Sequence, residues 1–314
     1  MSRTNPLPRR SQLYLSPYLC SDNWDLFNPR DDDIVVASAF KAGTTWMQTI
    51  VANLIFPDGE FPEPVMHMSP WIDRYRSDNQ IVKVMANIEQ QTHRRFLKTH
   101  LPLDALRYLP QLRYIFLSRD VRDAFMSLWN HHRNYSQEQL DRLDQAGIEL
   151  GIAWPDIPSD INEFWRQWLT RAWFPWEAEG YPYWSMFHNV RSWWPYRLLP
   201  NILFVHYNDL LADTPRQIQR VAEFLDIGVT PELVQEIAER VSLEAMRENA
   251  DKVMGDFEKG FIGGAAAFLN KGTNGRWHGV LSGSDLGLYE AALERNFDTA
   301  TARWSEHGGE IGPY

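Results

Sequence analysis

The sequence predicts an α/β fold, a mostly parallel central sheet flanked by helices. Three observations carry this. Strands are expected near 34–38, 95–98, 112–118 and 202–206, and three of the four are apolar throughout, as strands buried on both faces must be. Stretches with helical periodicity separate them, and alternating strand and helix builds a parallel sheet. The first strand also runs straight into a helix through a turn whose residue types suit an anion.

Taken in order, residues 1–33 read as an irregular lead-in ending in Asp31-Asp32-Asp33, a solvated acidic turn. Ile34-Val35-Val36-Ala37 is the first buried strand. Beyond the turn, apolar residues at 46, 47, 50, 51, 54 and 55 follow the helical period. The turn itself is Lys41-Ala42-Gly43-Thr44-Thr45. A helix start presents free N–H groups and the positive end of the helix dipole. Gly43 lets a ligand approach the backbone, Thr44 and Thr45 add hydroxyls, and Lys41 adds a mobile charge. The plain alternative is an ordinary turn with a Thr cap. The order is not that of a Walker A loop, because here the lysine precedes the glycine.

Pro57 to Pro70 holds four prolines and one glycine and reads as loop, and a polar helix is expected over 78–91. Arg95-Phe96-Leu97 leads into Lys98-Thr99-His100, a short strand with His100 at its carboxyl end, where ligands bind in open parallel sheets. The competing reading of His100 is a cap for the next helix. Leu112–Leu117 is the clearest strand; Asp120 suits a helix N-cap, and that helix is expected to reach about His132 with Ser127 two turns in. Segment 133–182 begins polar, and a helix starts near Ser159-Asp160, where Phe164/Trp168 and Trp165/Leu169 are core-type pairs. Asn201–Tyr207 reads as the last strand. Helices are expected from Asp213-Thr214-Pro215 to about Leu225 and from Thr230-Pro231. Residues 255–267, rich in Gly, Ala and Phe, read as a mobile segment leading to a glycine loop, and one helix over 285–304 closes the chain.

Composition narrows the function. The chain has 314 residues and a formal charge of −10, which speaks against nonspecific nucleic-acid binding while leaving room for a local anion site. Cys20 is the single cysteine, so no internal disulfide or cysteine-rich metal site is possible. Met1–Arg10 lacks the apolar core of a signal peptide and no run of about 18 apolar residues exists, so a cytoplasmic protein with no membrane span is expected. Eight of the fourteen tryptophans fall between Trp154 and Trp194, a density that suits either core or the wall of an apolar pocket.

Phe40-Lys41-Ala42-Gly43-Thr44-Thr45-Trp46 resembles the 5′-phosphosulfate loop, P-K-S-G-T-T-W, of the cytosolic-type sulfotransferases, which take sulfuryl groups from 3′-phosphoadenosine 5′-phosphosulfate (PAPS). Lys98-Thr99-His100-Leu101-Pro102 resembles their second signature, in which the His is the catalytic base. Arg119 and Ser127, spaced as in R-N-P-K-D-V-x-x-S, resemble their 3′-phosphate site, with Asp120-Val121-Arg122 replacing Asn-Pro-Lys. Asn270-Lys271-Gly272 through Gly275-Arg276-Trp277 resembles the closing loop R-K-G-x-x-G-D-W, with Asn270 in place of Arg and Arg276 in place of Asp. Losing that Arg either weakens the 3′-phosphate contact or is offset by Arg276. The resemblance also implies Tyr183 as the site tyrosine, counted from the V-x-x-W-W element, although another spacing selects Tyr181. It implies Ser242 and Leu243 against the adenine.

Together the four signatures, in order across residues 36–277, imply one sulfotransferase domain over 1–314 with its core at 34–306. They imply direct in-line transfer from PAPS to a small, partly hydrophobic alcohol or phenol, release of the bisphosphate PAP, and no metal. Lys41, Lys98 and His100 are the expected catalytic residues. The rivals are a P-loop kinase, disfavoured by the missing Walker lysine, and a non-catalytic nucleotide binder, disfavoured by His100. The family's dimer element would begin at His278, and no position matches, so that dimer is not expected.

Overall fold

In a computed structural model, residues 6–311 are described. Four parallel strands form the sheet: β1 (Ile34–Ser38), β2 (Phe96–Thr99), β3 (Arg113–Ser118) and β4 (Ile202–His206). Their spatial order is β2-β1-β3-β4. Chain connections from β1 and from β3 therefore leave in opposite directions. A crevice opens between their carboxyl ends, the place where open α/β sheets bind ligands. The register sets Val36 opposite Lys98 and Ser38 opposite Leu117, so the loops leaving β1, β2 and β3 emerge side by side.

Both faces of the sheet are covered, and the strands divide between two cores by alternation. Val35, Ala37, Leu97, Phe116 and Phe204 face an aromatic layer that includes Trp165, Trp168 and Trp193. Ile34, Val36, Phe96, Ile115 and Val205 face an aliphatic layer that includes Met47, Val51 and Ile218. Core packing thus explains half of the tryptophan-rich stretch, since Trp165, Trp168, Trp184 and Trp193 are all nearly fully buried.

The strands lie within a residue of their expected places, and several helix starts carry the expected caps. Asp120, Asp160, Asp213 and Thr230 each accept backbone N–H groups of the following turn. The structure refines four points. The first helix, Thr44–Ile55, has Gly43 in the left-handed conformation as its N-cap, so the alternative of an ordinary turn with a threonine cap does not hold. The acidic turn is not wholly solvated: Asp33 is buried in an ion pair with Arg95, 2.5 Å away. The polar stretch after residue 133 contains a helix, Gln137–Leu150, started by the Ser136 hydroxyl. The closing helix is two, Gly283–Asn296 and Thr299–His307, because Phe297 turns extended and Asp298 caps a new start. The lead-in is irregular but docked, with Tyr14, Tyr18, Trp24 and Phe27 in the aromatic core. Among the described residues no helix is long and apolar enough to cross a membrane.

Candidate active site

At the carboxyl ends of β1, β2 and β3 lies a cavity of about 380 Å³, lined among others by Lys41, Gly43, Thr44, Thr45, Trp46, Lys98, His100, Arg119 and Ser127. Three stretches far apart in sequence are thereby brought to one place. The turn after β1 is shaped by backbone: Lys41 has φ +50° and Gly43 φ +93°. A side chain on Gly43 would also come within 2.9 Å of the Tyr207 ring, so both conformation and space require glycine. Ala42 points away, into the aliphatic core. Thr44 joins its hydroxyl to that of Ser38 at 2.7 Å.

Positive charge collects in this cavity. Lys41 is pushed down to about 7, first by burial and then by Lys98 and Arg119. Its Nζ donates to His131 Nδ1 at 3.1 Å and lies 4.7 Å from the Phe268 ring centroid. Lys98 is pushed down to about 8, mainly by burial, and stands over the Trp71 ring at 4.9 Å. Neither lysine has a carboxylate partner at ion-pairing distance among the described residues. Buried cations without a counter-charge are costly unless an anion completes them.

His100 stands beside this pair. Burial, then Lys98, pushes it well below the usual histidine value, so the ring is neutral. Its Nδ1 is 2.9 Å from the Ser38 carbonyl oxygen, which can only accept. The single ring proton therefore sits on Nδ1, and Nε2 carries a lone pair. Buried Asp73 fixes the backbone here: its Oδ2 accepts from His100 N at 3.0 Å and Trp71 Nε1 at 2.7 Å, and its Oδ1 from Trp24 Nε1 at 3.1 Å. Trp71 and Trp184 flank the imidazole, with ring centroids 4.8 and 5.9 Å away.

Arg119, just before its helix, is buried with its guanidinium 4.0 Å from the Tyr207 ring centroid. It donates to Asn274 Oδ1 at 2.7 Å and to the Thr273 carbonyl at 3.0 Å, while Asp123 accepts from Gly275 N at 2.7 Å. The glycine loop is thus clasped onto the β3 end. Asn270, Gly272 and Arg276 line the cavity, whereas Lys271 is exposed and does not. Leu243 also lines it; Ser242 is an exposed cap that accepts from Ala245 N.

Of the two candidate tyrosines, Tyr183 lines the cavity and Tyr181 does not. The Tyr183 hydroxyl meets His132 Nδ1 at 3.3 Å and Tyr135 at 3.4 Å, and its ring packs on Tyr18, Phe40 and Trp154. None of its partners is Ser242 or Leu243. Tyr181 instead stacks on Trp173. Among the lining residues that sequence reasoning missed are Tyr18, His131, Tyr135 and Tyr207. Of these only Tyr207 carried a signal, standing immediately after β4 at a strand's carboxyl end. The others reach the cavity through packing of the lead-in and the far end of a helix. No group of three or more His, Cys, Asp or Glu suited to a metal occurs among the described residues.

Comparison with known proteins bears on this geometry. The chain is similar to a glycolipid sulfotransferase of Mycobacterium bovis, 29% identical over 307 residues that cover 92% of this chain and 93% of the relative. It is also similar to sulfotransferase 1C2 of Rattus norvegicus, 26% identical, with 82% and 81% covered. Among solved structures, retinol dehydratase in complex with androsterone and PAP superposes with a TM-score of 0.67 at 23% identity, covering 88% of this chain and 84% of that one. Mouse sulfotransferase SULT7A1 complexed with PAP gives 0.66 at 20% identity, with 89% of each covered; both show the same fold. The profile of the sulfotransferase domain matches residues 31–299, and on that match the chain belongs to the sulfotransferase family of enzymes.

Proposed function

We propose that this enzyme transfers the sulfuryl group of PAPS directly, in line, to the hydroxyl of a small, partly hydrophobic alcohol or phenol and releases PAP. The observation that carries this is the pairing of two lysines that lack an ion-paired carboxylate, Lys98 buried and Lys41 half-buried, with a neutral histidine whose Nε2 is unprotonated, all on one cavity. In this reading Lys41, Gly43, Thr44 and Thr45 take the 5′-phosphosulfate. Arg119 and Ser127, with Asn270, Gly272 and Arg276, take the 3′-phosphate. Trp46, whose Nε1 is buried without a partner, and Leu243 take the adenine. Tyr183 belongs to the acceptor wall with Tyr18 and Trp184. Lys271 and Ser242 contribute only through the loop and the cap that they form, and residues 1–314 act as one domain.

As the acceptor oxygen attacks sulfur, its proton passes to His100 Nε2. The bond from sulfur to the bridging phosphate oxygen breaks, and Lys41 meets the charge left on that oxygen. Lys98 neutralises the oxygens of the group in flight. Trp71, Trp184 and Phe268 keep water from the reacting atoms. No step calls on a metal.

Arg119→Ala is expected to weaken PAP binding by roughly 1.5–3 kcal/mol, the scale of hydrogen bonds to a charged group. Adenosine 5′-phosphosulfate, which lacks the 3′-phosphate, should bind correspondingly worse than PAPS. Calorimetry that finds wild-type affinity in the variant, or equal affinity for the two donors, removes the 3′-phosphate assignment.

Proton linkage gives a second test. Burial, with neighbouring cations, lowers Lys41 to about 7 and Lys98 to about 8. An anion beside them favours the charged forms and raises both values. Below pH 7 the lysines are already charged, and binding takes up little. Above that, binding must draw protons from solution, so PAP affinity should fall from about pH 7 upward. Calorimetry in two buffers of different ionisation enthalpy reads the uptake directly; no uptake at pH 8 would show that these lysines do not meet the phosphates.

A further inference from the structure

We propose that His131 positions Lys41: its Nδ1 takes one N–H of the ammonium and thereby aims the other two at the phosphosulfate of the donor. This rests on reading Lys41 as the group that meets the leaving bridging oxygen.

His131 belongs to the helix Val121–Arg133, one turn beyond Ser127, and both residues line the cavity. It stands 90 residues from Lys41 in the chain, yet Lys41 Nζ lies 3.1 Å from His131 Nδ1. The Phe268 ring centroid lies 4.7 Å from the same nitrogen. Among the described residues Nζ has no further hydrogen bond and no ion pair, so two of its three N–H groups remain for a ligand. Three aromatic rings fix the imidazole: Phe261, Tyr135 and Phe268, with centroids 4.7, 5.2 and 5.5 Å away.

The chemistry suits orientation. Burial, then Lys41, holds His131 well below the usual histidine value, so the ring is neutral. An ammonium can only donate, so Nδ1 carries the lone pair and the ring proton sits on Nε2, the opposite tautomer to His100. A carboxylate in this place would form an ion pair with Lys41 and compete with the incoming phosphosulfate. A neutral imidazole directs one N–H and leaves the full charge for the donor. No carboxylate is among the groups that act on His131, which are Lys41, Lys98, His132 and His100. Lysine needs such a guide, because its ammonium is a point charge on a flexible four-carbon stem. Its backbone end is set by the turn, with Lys41 in the left-handed region at φ +50° and its carbonyl oxygen 3.4 Å from Arg119 Nη1. His131 sets the other end.

Three substitutions test this. His131→Phe keeps a ring among Phe261 and Phe268 and deletes the acceptor. His131→Asn puts an amide oxygen about where Nδ1 stands, and His131→Gln carries it about where Nε2 stands. With PAPS and phenol as substrates, His131→Phe is expected to lower kcat by about 10–100-fold, as misplacing a reacting group by about 1 Å does, with little change in the KM for PAPS. His131→Asn should recover most of that loss and exceed His131→Gln. Proton uptake on PAP binding is a readout that packing alone would not move. A neutral acceptor on the ammonium favours its charged form, so loss of Nδ1 lowers Lys41 below about 7. Uptake at pH 7 should therefore grow in His131→Phe and return to the wild-type value in His131→Asn. Wild-type kcat or wild-type uptake in His131→Phe, or an Asn variant no better than Gln, would overturn the proposal. Where the Phe variant does not fold, the comparison of Asn with Gln decides. Lys41→Met tests the underlying reading separately, because unchanged kcat in that variant removes Lys41 from the leaving oxygen. In that case, or if phenol is not sulfated, proton uptake with PAP decides by itself. Growth in His131→Phe that His131→Asn reverses supports the positioning, and its absence overturns it.

Discussion

His100→Ala should lower turnover by about 10²–10⁴-fold, the usual contribution of a general base. The expectation comes from the tautomer. The Ser38 carbonyl holds the Nδ1 proton and leaves Nε2 as the acceptor of the substrate's proton. PAP affinity should stay near wild type, because this base touches the acceptor and not the nucleotide. The acceptor must be a weakly acidic alcohol, since an acidic phenol needs little help to lose its proton. Because burial and Lys98 hold His100 well below its ordinary value in the free enzyme, the His100 limb of the wild-type kcat/KM profile should lie below the usual histidine range near 6.5. A single-turnover measurement that finds the variant within a factor of about three of wild type, far short of a base's usual contribution, would remove the role.

Lys41→Met should lower kcat by about 10²–10³-fold, as removal of one preorganised charge at a developing oxyanion does. Methionine keeps much of the aliphatic stem and removes the ammonium that lies over the Phe268 ring, so the loss isolates the charge. Unlike the His100 variant, this one should also bind PAP more weakly, and its proton uptake at pH 8 should shrink. Unchanged uptake would mean that Lys98 alone carries the linkage. Unchanged kcat would place the leaving-group charge elsewhere, with the Thr44 and Thr45 N–H groups as its remaining partners.

Much of the site was legible in the chain because it depends on local chemistry. A lysine, a glycine and two threonines between a buried strand and a helix make an anion cradle wherever they fold. Lys98 and His100, two residues apart at a strand's end, share a face by the geometry of the strand itself. Arg119 and Ser127 are set by a strand end and two turns of helix. The four strands and their burial are legible in apolar runs alone, and the caps at Asp120, Asp160, Asp213 and Thr230 in single side chains.

Other features needed the tertiary structure. Asp33 reads as solvated until β2 brings Arg95 beside it. Tyr18 sits in an irregular lead-in with no period to mark it, yet its ring enters the cavity wall by packing on Tyr183 and Trp184. His131 falls in the helix of Ser127, one turn on, and the approach of Lys41 and of the Phe261 and Phe268 rings from distant segments gives it its partners. Tyr183 was picked by spacing, but its neighbours His132 and Tyr135 set it in the wall around His100. The lowered lysines have the same origin. Their residue types are written in the sequence, but desolvation and the nearness of like charges exist only once three strand ends converge. Sequence determined the strands, the cradle and the chemical groups, because backbone preference and side-chain chemistry are local. Folding decided which groups meet, because proton affinity and contact depend on distance and on water removed, and both are properties of the packed chain.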